Sequence, residues 1–379
     1  MEAIQNQVQS LLDELTGSGR EDGVQVAVYH HGVLIVNACS GTADRKTGQP
    51  VDENTLFVAM SCSKGITATV IHMLAQQGKL DYDDRIADYW PAFAVNGKQD
   101  ITIRHVLRHE AGIPQMPENS TLDMICNWDE IIGEVERLTP VWEPGTKTGY
   151  HGFTFGWILG EIAQRADGRP FAQIVCEEIC KPLGISVELY FGAPEAAEPR
   201  IAKLSGEPLP WDDMPDEMLL KRMLPPSVSP NNNLSAWNGP RVHQTVMPAS
   251  NGIMTANALA RIYASLIGDG VDGVRLLTPA QSWAAAGLQT EQPDEIFLGL
   301  PIPKALGYWL GGIKVGLTAM GSRQSAFGHT GNGGMIGFAD PEHNLAIAIL
   351  KNRMTYNRGE QETDIFLTTK IRQLLNLPI

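Results

Sequence analysis

The sequence predicts an α+β (α/β) fold: an antiparallel sheet drawn from both chain ends, flanked by helices, with a mainly helical domain inserted between them. Three observations point there. Two alternating apolar runs meet at a His-His-Gly turn within residues 23–41, and short apolar runs bounded by Gly-rich and Asp-Pro turns recur at 327–352. Between these ends the apolar spacing is helical. Residues 1–60 and 240–379 are therefore expected to build the sheet domain, and residues 61–239 the helical one.

Each element has its own signal. "MEAIQNQVQSLLDELTG" reads as an amphipathic helix, without the basic start or apolar centre of a signal peptide, so a cytoplasmic chain is expected. "GVQVAVYHHGVLIVNACSG" is a β-hairpin turning at His30-His31-Gly32. In "KGITATVIHMLAQQG", Ile66, Val70, Met73 and Leu74 recur at helical spacing, and Gly78 marks the stop. Further helical patterns lie at 102–109, 128–138, 154–166 and 170–180. Residues 192–248 hold ten of the 24 prolines and form an irregular crossing, of which 192–239 belongs to the helical domain. "TANALARIYASLIGDG" is again helical, and "ETDIFLTTKIRQLLNL" closes the chain as an amphipathic helix.

Composition narrows the function. The 379 residues suffice for one large or two medium domains, with 43% hydrophobic and 19% charged residues. Net charge is −14, from 29 basic and 43 acidic residues, and no basic run interrupts it. A nucleic-acid partner or an anionic membrane surface is not expected, nor is a membrane span, because no apolar run approaches ~18 residues. Five scattered cysteines make no disulfide framework.

The stretch "FVAMSCSKGITATV" carries chemistry. Ser61 and Lys64 are three apart at a helix start, one turn apart on one face. A serine hydroxyl attacks only when a neighbour takes its proton, and a lysine does so once burial disfavours its ammonium form. The helix N-terminus adds N–H groups where an oxyanion develops. Ser63 adjoins Lys64 and points away from it, and Cys62 reads as packing.

"SCSKG", "ITIRHVLRHEAGIP", "WEPGTKTGYHGFTFGWILGEI", "ASNGIMTANALARIYASLIGDG" and "FGHTGNGGMIGFADPEHNLAIAILKNRM" together resemble the serine hydrolases related to class C β-lactamases. Within that group the chain is most similar to the family VIII carboxylesterases, in order from about residue 20 to 355. The resemblance implies a β-lactamase/transpeptidase-like fold with three catalytic elements. These are Ser61-x-x-Lys64, then Tyr150-His151-Gly152, then His329-Thr330-Gly331 in place of a strand-borne Lys-Thr-Gly. Both actual Lys-Thr-Gly triplets, at 46–48 and 147–149, are then decoys, and Tyr263 in its apolar stripe is core.

The same resemblance implies an ester hydrolase working through an acyl-enzyme on Ser61, with no cofactor. Tyr150, its proton affinity lowered by Lys64, would take and return the proton; which of the two is the base in each step stays open. The oxyanion donors would be the backbone amides of Ser61 and Asn332. His329, Thr330, Gly331, Gly152 and Trp309 would meet the substrate, with Trp237 as a further acyl-pocket candidate. Gly152 and His329 stand where β-lactamases carry asparagine and lysine, which suits a neutral small-molecule ester over an anionic, amide-bearing one. His105 and His109 have a ligand-like spacing, but Val106 occupies the place of a zincin glutamate, so no metal is expected. Competing readings are an acyltransferase of the lovastatin side-chain type, a β-lactamase or D-alanyl-D-alanine peptidase, and an inactive acyl- or peptide-binding scaffold.

Overall fold

A computed structural model of the chain describes residues 2–209, 213–313, 319–355 and 362–379. Twelve strands occur among them: β1 (Gly23–His30), β2 (Val33–Asp44), β3 (Gln49–Pro50), β4 (Phe57–Val58), β5 (Leu189–Tyr190), β6 (Ser205–Gly206), β7 (Ile253–Met254), β8 (Trp309–Leu310), β9 (Phe327–Gly331), β10 (Met335–Asp340), β11 (Leu345–Lys351) and β12 (Arg353–Met354). Seven of them form one antiparallel sheet in the order β3-β2-β1-β11-β10-β9-β8. The two chain ends meet at its centre, where β1 pairs with β11 from Val24↔Lys351 to His30↔Leu345. The β1–β2 turn needs two left-handed residues, and His31 (φ 51°) and Gly32 (φ 73°) supply them.

Strand alternation sorts the side chains by size. Val24, Val26, Val28, Ile347 and Ile349 face the helices Glu2–Gly17 and Thr363–Leu374, whose Val8, Leu12, Leu367 and Ile371 are fully buried against them. Ala27, Ala346 and Ala348 face the opposite way, toward the helix Ala256–Ala264. Small residues let that helix lie close: a Cβ on Gly337 would stand 2.6 Å from Leu259. This two-faced burial is the α+β architecture the periodicity predicts.

The helical region centres on the helix Ser63–Gln76, buried all round from Ser63 to Leu74 and packed on the helix Thr154–Asp167. The pattern at 170–180 predicts one α-helix, but the structure has α-helix at Phe171–Ile174, a π-turn at Val175–Cys180 and α-helix at Lys181–Leu183. Pro182 accounts for the departure. It has no N–H for the carbonyl four residues back, and a widened turn gives its ring room. The proline-rich crossing resolves into short helical segments joined by loops, among them Glu195–Arg200, Leu219–Met223, Leu234–Trp237 and Pro240–His243; its residues 210–212 lie outside the described ones. A small sheet, β4-β7-β5, joins the segment before Ser61 to the segment before the helix Ala256–Ala264. Among the described residues no helix is long and apolar enough to cross a membrane.

Candidate active site

Strand β4 ends two residues before a bent approach to Ser61. Met60 adopts φ 47°, a left-handed conformation that costs a residue with a side chain about 1–3 kcal/mol. Three hydrogen bonds over-determine it: Ala59 N–H to Gly252 O (2.9 Å), Ser63 Oγ to Met60 O (2.6 Å), and Gly252 N–H to Ser63 Oγ (2.9 Å). Ser63 is thus a bracket, and Cys62 is fully buried with Sγ against His329 O. The turn leaves Ser61 partly exposed at the start of the helix that carries Lys64.

Lys64 is 0% exposed. Its Nζ lies 2.6 Å from Gly152 O, 3.0 Å from Ala249 O and 3.2 Å from Ser61 Oγ, and 4.8 Å above the Tyr150 ring centre. Burial pulls its pKa well below the usual lysine value, with no carboxylate among the causes to oppose it. A neutral amine has two N–H donors and one lone pair. In that form the two carbonyls would take the donors and leave the lone pair for the Ser61 hydroxyl.

Tyr150 is 6% exposed and lines the same cavity as Ser61, whose side chain is near enough to lower the phenol's pKa. Burial raises its pKa above the usual tyrosine value, and Ser61 offsets only part of that. Lys64 is not among the groups that shift the Tyr150 pKa, and burial acts on both side chains in favour of their neutral forms.

The third element reaches the site through its backbone. A Cβ on Gly331 would stand 2.8 Å from Ala59 O, so glycine lets β9 run against the Ser61 turn. Thr330, Gly331 and Asn332 line a cavity of about 360 Å³ beside Ser61, and the Asn332 side chain is tied to Asn231 (3.0 Å). Among the described residues, neither the Ser61 nor the Asn332 amide donates to another backbone group. His329, expected to touch substrate, is 0% exposed and does not line the cavity. Its Nδ1–H donates to Thr330 O (2.7 Å), and burial pulls its pKa down to about 3, so it is neutral. The alternation of β9 turns this ring inward, 4.9 Å from Trp309 and 5.9 Å from Tyr150, behind the two rings that do line the cavity.

Apart from Ser61, Tyr150 and a few neutral polar groups, the wall is apolar, with Phe153, Met223, Leu224, Trp237, Phe297 and Trp309 prominent; no described lining residue carries an ionised side chain. Gly152 lines it too, and a Cβ there would meet the Met223 sulfur at 2.9 Å. A thioether occupies the space a side chain at 152 would need.

The remaining sequence candidates lie elsewhere. Lys147 pairs with Glu295 (3.3 Å) at the surface, Lys46 sits in the β2–β3 turn, and Tyr263 is core, 1% exposed. His105 caps its own helix by accepting from the Thr102 amide (3.2 Å), while His109 is buried against Tyr150 and Phe155. The sequence reading missed Asp294 and Lys304, a buried ion pair (2.8 Å). Asp294 accepts from the amides of Tyr150, Ile296 and Phe297, and Lys304 bonds Thr148 (3.1 Å). No periodicity marks them; the sole hint is an aspartate opening the turn "DEIF".

Comparison with known proteins identifies the family and the fold. The beta-lactamase family profile matches residues 8–368. The chain is 34% identical over 354 residues to Esterase/beta-lactamase LipL of Mycobacterium tuberculosis, covering 88% of this chain and 78% of that protein. A crystal structure of a family VIII carboxylesterase superposes with a TM-score of 0.86 at 27% identity, over 97% of each chain. A penicillin-binding protein homologue from Caulobacter crescentus gives 0.82 at 29% identity, over 97% of this chain and 95% of the other.

Proposed function

We propose, from the premise that the chain belongs to the beta-lactamase family, that it is a serine carboxylesterase acting on uncharged esters of small to medium acyl chain. The observation that carries this reading is a buried lysine, its pKa drawn down by burial, with Nζ 3.2 Å from a serine hydroxyl at the mouth of a cavity whose described walls hold no ion. An anionic substrate would find no described cation in that wall to offset its desolvation. The 34% identity to an esterase/beta-lactamase and the fold shared with a family VIII carboxylesterase support the same activity.

In this mechanism Lys64 Nζ takes the Ser61 proton as Oγ attacks the ester carbonyl carbon. The carbonyl π pair moves to oxygen, where the amides of Ser61 and Asn332 stabilise it; one such donor is typically worth ~2.7–4 kcal/mol. The tetrahedral adduct expels the alkoxide. Tyr150 gives that alkoxide its phenolic proton and recovers one from the Lys64 ammonium. Water then attacks the acyl-enzyme by the reverse route and frees Ser61. His329 holds the Trp309 and Tyr150 rings from behind and takes no proton, being neutral down to about pH 3.

The test is a series of p-nitrophenyl esters from acetyl to dodecanoyl, run beside nitrocefin and with and without an alcohol acceptor. We expect hydrolysis of the short and medium esters, with nitrocefin turned over far more slowly. Ester consumption only in the presence of the alcohol would instead make the protein an acyltransferase. Nitrocefin hydrolysis as fast as ester hydrolysis would overturn the argument from Gly152, Met223 and the uncharged wall.

A further inference from the structure

We propose that His109 is a positioning residue that sets the place of the Tyr150 phenol by holding the amides on either side of it. This rests on the function proposed above. Three consecutive N–H groups carry Tyr150, and each is held by a residue remote in sequence. Gly149 N–H donates to His109 O (2.9 Å), Tyr150 N–H to Asp294 Oδ1 (3.2 Å), and His151 N–H to His109 Nδ1 (3.1 Å). One residue thus brackets Tyr150 with its main chain and its side chain at once.

The cost of placing it there argues that the bracket is used. His109 has φ 59°, in the left-handed region where glycine or asparagine is the ordinary choice. Its imidazole is 1% exposed and stacks on Phe155, with ring centres 5.0 Å apart, and lies 5.1 Å from the Tyr150 ring. Nε2 has no described partner, so the nitrogen that bonds is the one facing the tyrosine segment. Burial, reinforced by the nearby Lys304 charge, pulls the ring's pKa well below the usual histidine value and so favours the neutral form with a lone pair on Nδ1. His151 closes the turn from the other side, with Nδ1 on Gly149 O (2.6 Å) and Nε2 accepting from Ile113 N–H (3.1 Å). A reacting hydroxyl moved by about 1 Å loses on the order of 10²-fold in rate, so a bracket at this position acts on the chemical step.

The test compares His109→Gly, which keeps the left-handed backbone and its carbonyl but removes the ring acceptor, with His109→Asn, which tolerates the same φ and restores an acceptor through Oδ1. Both are measured by phosphonylation of Ser61 with a p-nitrophenyl alkylphosphonate, separating the limiting rate from the half-saturating concentration, beside thermal unfolding. We expect the glycine variant to lose about 100-fold in limiting rate with half-saturation unchanged, and the asparagine variant to recover most of that loss. A glycine variant as fast as the parent, or an asparagine variant as slow as glycine, overturns the inference. Should the glycine variant fail to fold, His109→Leu against His109→Asn makes the same comparison. A parent protein that is not phosphonylated removes the proposed function, and this inference with it; a phosphonylated parent with unaffected variants removes the inference alone.

Discussion

Ser61→Ala and Lys64→Met are each expected to lower ester turnover by about 10⁴–10⁶-fold, and the double variant to lose no more than the worse single one. Non-additivity is the diagnostic part. A nucleophile without its base and a base without its nucleophile are equally idle, so removing the second member of the unit has nothing left to remove. Independent contributions would instead multiply. Turnover of the four proteins on one p-nitrophenyl ester, with circular dichroism to confirm folding, reads the result; a double variant far below both singles would mean that Lys64 does not act through Ser61.

Lys64→Met carries a second expectation, in stability. The folded pKa of Lys64 lies well below its unfolded value of ~10.4, because burial disfavours the ammonium. Between those two pKa values the unfolded chain holds a proton that the folded chain lacks, so stability rises with pH through that window, by up to about 1.4 kcal/mol per unit. Methionine has no proton to gain and loses that slope. Urea unfolding at pH 7 and pH 9 should therefore show the parent gaining stability relative to Lys64→Met as pH rises. Equal slopes would mean that Lys64 stays charged when folded. Turnover of the parent should fall on the acid side, where Lys64 regains its proton.

The parts that were legible in the sequence are those with local physical signals. Alternation marked β1 and β2, because side chains on successive strand residues point to opposite faces, and short apolar runs between Gly-rich and Asp-Pro turns marked β9, β10 and β11. Ser61 and Lys64 were found because a three-residue spacing on a helix is a statement about distance, and Tyr150 because ordered motifs fixed its place relative to them. The illegible parts are set by tertiary contact. Nothing near His329 in the sequence tells whether its ring meets the cavity or backs Trp309, since that depends on how β9 is turned against the Ser61 approach. The burial that shifts the Lys64 and Tyr150 pKa values is supplied by Gly152, Ala249 and Phe155, which are remote from Lys64 in the sequence. Asp294, Lys304 and the amide contacts of His109 join segments 40 to 156 residues apart, and no window of sequence contains both partners.

Tyr150→Phe is expected to cost about 10²–10⁴-fold on ethyl esters and much less on p-nitrophenyl esters of the same acid. The substitution removes one oxygen from a ring that stays packed against Trp309, Phe297 and Lys64 Nζ, so the cavity keeps its shape. Folding should change by about 1 kcal/mol, the net value of one hydrogen bond. The rate effect depends on what departs. Ethoxide is a strong base and leaves only as it is protonated, which is the task assigned to the phenol, whereas p-nitrophenolate leaves without a proton. A leaving-group series on the parent and the variant separates two roles that a single substrate would merge. Loss concentrated on poor leaving groups places the Tyr150 proton in collapse of the adduct. Equal loss on every ester would place the phenol in activation of Ser61, and Lys64 could then no longer be the sole base.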